Sequence, residues 1–249
     1  MSKASTSRAR ERKSALSTVA FAGFPKEGLR FLADLERNND RAWFEQHKAL
    51  YREKLKAPAE RFAAAVGKEL EALLDRPVRA KTFRIHRDLR FSKDKQPYSC
   101  NVRMAFFDDG PGAAVPRITG DQAPDFGFYL SLEPRTVILG AGSFGFSKAL
   151  LASYRAALAA DPGGSEIAAL IDGLVAKGYR LNEPELKRVP TGIDPAHPRA
   201  ELLRRKSLAL WRDLPDHSAV SGSSAVATCV GVFAELLPLH RLILALTSR

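Results

Sequence analysis

The residues best suited to chemistry are the cations concentrated in residues 79–103. Eight Lys and Arg residues stand there against Asp88 and Asp94, which gives the segment a net charge of +6. Arginine binds phosphate or carboxylate through its planar fork, and lysine adds a point charge. We therefore predict an anion-binding surface, which includes Arg84, Arg87, Arg90, Lys93, Lys95 and Arg103.

The basic character of the chain is local. Residues 1–20 carry five basic residues against one acidic residue, so together with residues 79–103 they account for +10 of the total charge of +11. Such patches favour nucleic acid or a phosphorylated small molecule as the partner, with no membrane implied. Lys187 and Arg188 add two cations on a short predicted strand and extend the predicted anion site.

His86 and Asp88 are the candidates for proton transfer. Period two places Arg84 and His86 on one strand face, and the returning strand places Asn101 and Arg103 on its polar face. A histidine among these cations is able to act as an acid or base near neutral pH. The alternative interpretation is a half-exposed histidine without a catalytic task, because the sequence shows no nucleophile beside it.

A second interpretation is supported by the acidic residues of the basic loop, which is the segment 87–97 between the strands predicted at 82–86 and 98–107. Asp88 and Asp94 can pair with arginines of the same loop, and Asp94, Pro97 and Tyr98 are assigned to its turn. Exposed ion pairs contribute only about 0 to 1 kcal/mol each, so stability alone explains little of this charge density. An anion site and a self-paired solvated loop both remain open.

Hydrophobic periodicity predicts the elements that position these residues. Three helices precede Pro77, with Asp40 as the N-cap of the second and Pro58 in the first turn of the third. The period then changes to two, which predicts strands at residues 82–86, 98–107, 126–132, 136–140 and 208–211. Short extended pieces are predicted at 179–182 and 186–189, and further helices at 147–160, 166–177, 199–206 and after 223. The fold class is α+β, with a central, mainly antiparallel sheet flanked by N-terminal and C-terminal helices.

The domain organisation predicted from composition is simple. Residues 1–20 are expected to be a disordered basic tail, because nothing in them can bury apolar surface. Residues 21–249 are expected to form a single α+β domain, and the Gly- and Pro-rich residues 108–124 a long loop.

Several site classes are disfavoured by the sequence. The two cysteines form no CxxC pair and the five histidines show no ligand spacing, so we expect neither a metal site nor a disulfide. The absence of a disulfide framework leads us to expect a reducing, cytoplasmic location. Residues 140–145 match GxGxxG, but the preceding strand closes a predicted hairpin instead of opening a βαβ unit. We interpret these glycines as a tight sheet-to-helix connection and predict no cofactor.

Four stretches resemble a known family. LERNNDRAWFEQHKALY at 35–51, RDLRFSKDKQPY at 87–98, GAG at 140–142 and LKRVPTGIDPAHPRAELLRRK at 186–206 are similar to the domain of unknown function 2461 family of bacteria and fungi. The resemblance implies one soluble domain and transfers no catalytic residues. The leading functional hypothesis is binding of an anionic ligand. An enzyme acting on a small anionic substrate and a structural or protein-interaction domain are the alternatives.

Overall fold

The computed structural model describes residues 21–90, 92–108 and 126–247. The α-helices in these ranges are α1 Lys26–Arg37, α2 Arg41–Leu50, α3 Ala57–Leu74, α4 Lys148–Ala159, α5 Gly163–Ala176, α6 Ala200–Leu203, α7 Ala225–Glu235 and α8 Leu237–Thr247. The strands are β1 Val78–Thr82, β2 Val102–Asp108, β3 Gly127–Leu132, β4 Val137–Ser143, β5 Arg180–Leu181 and β6 Leu208–Leu214.

The strands form one six-stranded antiparallel sheet in the order β1-β2-β3-β4-β6-β5. In the pairing of β5 with β6, Arg180 lies opposite Trp211 and Leu181 opposite Leu210. Helices precede and follow the central strands along the chain, so the predicted α+β class is confirmed.

The second and third predicted helices form one continuous helical run. Asp40 is the N-cap of α2, as predicted, and its carboxylate accepts a hydrogen bond from the Trp43 N–H at 2.9 Å. A π-helical turn, Tyr51–Lys56, then joins α2 directly to α3. Pro58 lies in the first turn of α3 without ending the run, because its missing N–H falls beside a turn whose hydrogen bonding is already altered.

Gly28 of α1 lies against the backbone of the π-helical turn. A Cβ atom at this position would lie 1.9 Å from the Lys54 carbonyl oxygen, well inside contact distance. Only a residue without a side chain permits this approach of two helical backbones. Gly28 therefore allows α1 to pack directly on the turn.

The described chain forms two compact units. The first contains residues 21–106 without Phe91, 130–137 and 214–231, and the second contains residues 107–108, 126–129, 138–213 and 232–247. The core of the first unit is aromatic, and the rings of Phe21, Phe24 and Phe62 contact one another with centroids 4.9 to 5.3 Å apart. In the second unit, Tyr154 and Tyr179 are fully buried and donate to backbone carbonyls. The predicted single domain remains a prediction.

Two predicted strands are corrected by the structure. The strand placed at residues 82–86 lies earlier, at Val78–Thr82, and the chain beyond it meets the returning segment only through one bridge, His86 with Tyr98. The predicted alternation of faces nevertheless holds, since Ile85 is buried while His86 is exposed. The extended piece predicted at 186–189 is not a strand, because only one of its N–H groups, that of Leu186, has a backbone partner.

The sheet-to-helix connection predicted at residues 140–145 begins later than expected. Residues 140–143 belong to β4, and the next helix begins at Lys148. Cβ atoms at Gly140 and Gly142 would lie 2.5 Å and 2.1 Å from the carbonyl oxygens of Leu210 and Leu208 on β6. The glycines are required by the close approach of this neighbouring strand. The sequence could not place the end of this strand, because its partner strand lies far along the chain.

The predicted tail at residues 1–20 and all of the predicted loop except Asp108 lie outside the described residues.

Within the described part of the chain, no single helix has the length and apolar composition to cross a membrane. The pair α7 and α8, which meet at a bend of 51°, would meet that criterion only jointly, by length and composition.

Candidate anion-binding site

A cavity of about 360 Å³ lies in the first unit. One wall is formed by the helical run and the other by the end of β1, the residues after it and the start of β2. The helical wall consists of Phe44, Lys48, Tyr51, Arg52, Lys56 and Glu60. The sheet wall consists of Thr82, Phe83, Arg84, Ile85, His86, Asn101 and Val102.

The π-helical turn explains how four charged residues at four-residue spacing share the helical wall. In a uniform α-helix, residues four positions apart differ by about 40° in direction around the helix axis. Lys48 and Glu60 are three such intervals apart and would therefore point about 120° away from each other. The i→i+5 bonding of a π turn places more residues in each turn and offsets this drift. Lys48, Arg52, Lys56 and Glu60 thereby all line the cavity.

Two of the cations in the helical wall have carboxylate partners. The Lys48 ammonium contacts Glu45 at 2.7 Å, and the Lys56 ammonium lies 3.8 Å from Glu60. The second distance is longer than a hydrogen bond, so Lys56 and Glu60 attract each other without a tight contact. These two positive charges are partly compensated from within the chain.

Arg52 and Arg84 differ from these lysines. Neither forms an ion pair with a carboxylate in the described ranges, although the charge of Arg84 is felt by the Asp88 carboxyl. Arg52 extends from the helical wall and Arg84 from the sheet wall, and both residues are exposed. The cavity therefore has one available guanidinium on each wall.

The aromatic part of the site is closely packed. The Phe44 and Tyr98 rings are stacked with centroids 4.0 Å apart, and His86 lies edge-on to both rings. Burial and the nearby charge of Glu60 raise the pKa of Tyr51 to about 12, so its phenol stays a hydrogen-bond donor at neutral pH. His86 is held beside the cations by these ring contacts and by the backbone bridge to Tyr98.

Asn39 ties the returning end of the basic loop to the α1–α2 connection. Its side-chain nitrogen donates to the Tyr98 carbonyl at 2.9 Å and to the Cys100 sulfur at 3.1 Å. Its side-chain oxygen accepts from the Tyr98 N–H at 3.1 Å. This contact fixes Tyr98, and through it the ring that supports His86.

The tip of the basic loop is self-paired. Arg87 contacts Asp94 at 2.5 Å, and Arg90 contacts Asp88 at 2.6 Å. Hydrogen bonds from the Arg90 side chain and backbone lower the pKa of Asp88 to about 2. The pKa of Asp94 is also lowered, mainly by a hydrogen bond from the Gln96 N–H and to a smaller extent by one from the Arg87 side chain. Asp88 is therefore ionised at neutral pH and is poorly suited to donate a proton.

The structure brings only part of the predicted site together. Among the predicted site residues, Arg84 and His86 line the cavity. Lys93 and Lys95 are exposed on the loop, and the Arg103 guanidinium lies 5.5 Å from the centre of the Phe83 ring. In the turn, the Arg87 N–H donates to the Pro97 carbonyl at 3.0 Å. Lys187 and Arg188 are exposed residues of the second unit.

The residues missed by sequence reasoning lie on the helical wall. Lys48, Arg52 and Lys56 recur at four-residue spacing, which is a readable signal for one helix face. The sequence alone does not distinguish such a basic face from an ordinary solvated helix surface.

Within the described ranges, no group of three or more His, Cys, Asp or Glu side chains is placed to hold a metal ion.

One known protein family, described as conserved hypothetical protein (DUF2461), has a model that matches residues 27–241 of the chain. The chain belongs to this family. The match covers the cavity and all the stretches that resemble the family in sequence. No curated protein matches the chain significantly.

Proposed function

We propose that the protein binds a small anionic ligand in the cavity of the first unit. One observation carries the proposal: Arg52 and Arg84 line one cavity from two walls, and neither forms an ion pair with a carboxylate in the described ranges. Two arginines that line the same cavity bring like charges together, and an anion between them would offset the repulsion. Such an anion gains charge-assisted hydrogen bonds from both.

The shape of the site supports a small ligand over a nucleic acid. A volume of about 360 Å³ lies at the lower end of the range for small-molecule sites, roughly 300 to 1,000 Å³. Nucleic acids need several phosphate contacts along an extended surface. The loop tip that would provide such a surface has its arginines, Arg87 and Arg90, paired with carboxylates.

The proposal is tested by calorimetric titration with inorganic phosphate, sulfate and citrate at low ionic strength. We expect Arg84→Gln to weaken anion binding by tenfold or more, because it removes one of the two available guanidinium groups. Arg90→Gln is the matched control, since Arg90 is an arginine of the same loop that does not line the cavity. If the wild-type protein binds none of the anions, or if both variants behave alike, the proposal is wrong.

An enzyme acting on an anionic substrate is the second candidate, because His86 lines the same cavity as Arg84. A histidine beside a bound anion is placed to transfer a proton to or from it. Turnover of p-nitrophenyl phosphate would support this candidate if His86→Gln abolished it. His47→Gln is the control, because His47 bonds to the Trp43 carbonyl and does not line the cavity. The absence of turnover favours a binding protein.

A further inference from the structure

The charges in the lining of the cavity restrict the class of ligand. We infer, on the basis of the proposed function, that the ligand is a phosphate monoester bound as a dianion between Arg52 and Arg84, and that Glu60 limits the site to one phosphoryl group. The inference rests on the number of uncompensated charges, the placement of the two arginines on different walls and the presence of a single carboxylate in the described lining.

The charge of the ligand follows from the pairing of the cations. Four cations line the cavity, and carboxylates lie beside two of them, Lys48 and Lys56. Arg52 and Arg84 remain, with a combined charge of +2. A phosphate monoester carries about −1.5 to −2 at pH 7 and matches this charge. A carboxylate or a phosphodiester carries −1 and leaves one arginine uncompensated.

The geometry of a phosphoryl group fits two arginines. A monoester presents three terminal oxygens, and one guanidinium can bind two of them in a fork while a second guanidinium binds the third. The cavity has the volume of a sphere about 9 Å across, so a group near its centre lies within reach of long side chains from both walls. A carboxylate presents only two oxygens and cannot satisfy both arginines in this way.

Glu60 provides the restriction to one phosphoryl group. It is the single carboxylate in the described lining of the cavity, and its side chain is 57% exposed. Its negative charge also reaches the Tyr51 phenol on the same wall, whose pKa it helps to raise. A second phosphoryl group beside Glu60 meets like charge, which Lys56 at 3.8 Å offsets only in part. A hydroxyl group there meets an acceptor in Glu60 and a donor in Tyr51.

The experiment compares matched ligands by calorimetric titration at pH 7.5. Phenyl phosphate and methyl phenyl phosphate differ in charge, and inorganic phosphate and pyrophosphate differ in the number of phosphoryl groups. We expect phenyl phosphate to bind at least tenfold more tightly than its methyl diester. We also expect pyrophosphate to bind no more tightly than phosphate.

Glu60→Gln should strengthen pyrophosphate binding by threefold or more. Glu53→Gln, a change of an exposed residue of the same helical run outside the cavity, should leave pyrophosphate binding unchanged. Equal binding of monoester and diester, or no gain in Glu60→Gln, overturns the inference while the proposed function stands. Tighter binding of single-stranded DNA than of phenyl phosphate also overturns it. If no anion binds at all, the proposed function itself fails.

Discussion

Asn39 satisfies both backbone polar groups of Tyr98, donating to its carbonyl at 2.9 Å and accepting from its N–H at 3.1 Å. A side-chain amide has a donor and an acceptor side by side, so it can pair with an extended residue as a neighbouring strand would. The connection between α1 and α2 is thereby joined to a residue 59 positions away. The basic loop is held at this point by polar contacts as well as by ring packing.

Replacing Asn39 with Ala should lower the free energy of unfolding by about 1 to 3 kcal/mol, because part-buried backbone groups of Tyr98 lose their partner. Urea denaturation measures the change. Asn38→Ala is the control, since the Asn38 side chain is exposed and donates only to the Asp34 carbonyl of its own helix. Equal losses in the two variants would show that the contact with Tyr98 contributes nothing specific.

Gly28→Ala should destabilise the protein by about 1 to 3 kcal/mol, because the new methyl group would overlap the Lys54 carbonyl. Gly173→Ala in α5 is the matched control. A Cβ atom there meets nothing within 4 Å, so we expect a gain of about 0.5 to 1 kcal/mol from the better helix propensity of alanine. Thermal denaturation of both variants gives the comparison. A stable Gly28→Ala variant would contradict the close packing of α1 on the π-helical turn.

The ion pair of Asp88 with Arg90 should persist in acid. The folded-state pKa of Asp88 is lowered to about 2, from an ordinary value near 4. The pair therefore contributes fully above pH 4 and is lost as the pH falls through about 2. Arg90→Gln should raise the pKa of Asp88 towards its ordinary value, as measured by NMR titration of the carboxyl carbon. Lys95→Gln is the control, and an unchanged pKa in Arg90→Gln would rule out the pairing.

The two thiols should react at very different rates. Cys229 is fully buried, and burial raises its pKa to about 12, whereas Cys100 is only half-buried, although burial raises its pKa as well. A maleimide reagent at pH 8 should modify Cys100 in the native protein and Cys229 only after unfolding. Mass spectrometry of Cys100→Ser, which should remain unmodified when native, checks the assignment. Rapid modification of that variant would mean that Cys229 is accessible.

Local signals were sufficient for part of the fold and of the site. The N-cap at Asp40 depends on a short-range hydrogen bond, and the exposure of Arg84 and His86 opposite buried Ile85 follows from the period of an extended chain. Such features are determined by neighbours within a few residues. The sequence could therefore predict them without knowledge of the fold.

The helical wall of the cavity depended on relations that the sequence does not display. Arg52 and Arg84 lie 32 positions apart, and their sharing of one cavity is decided by how the helical run packs on β1 and β2. The π-helical turn leaves no recognised residue signature, and the close approach that requires Gly140 comes from β6, about 70 residues later. Long-range packing determines these features, so periodicity and composition could not predict them.

The π-helical turn acts as a one-residue insertion in the helical run, because it accommodates one residue more than an α-helical turn. A relative that lacks one residue within Tyr51–Lys56 can be uniformly α-helical and still keep Lys48 and Glu60 on one face, since eleven steps of 100° differ from three full turns by about 20°. A relative with the same number of residues and no π turn would instead turn Lys48 by about 100° relative to Glu60. Among relatives, chain length and helix type in this stretch should therefore change together wherever the cavity is kept.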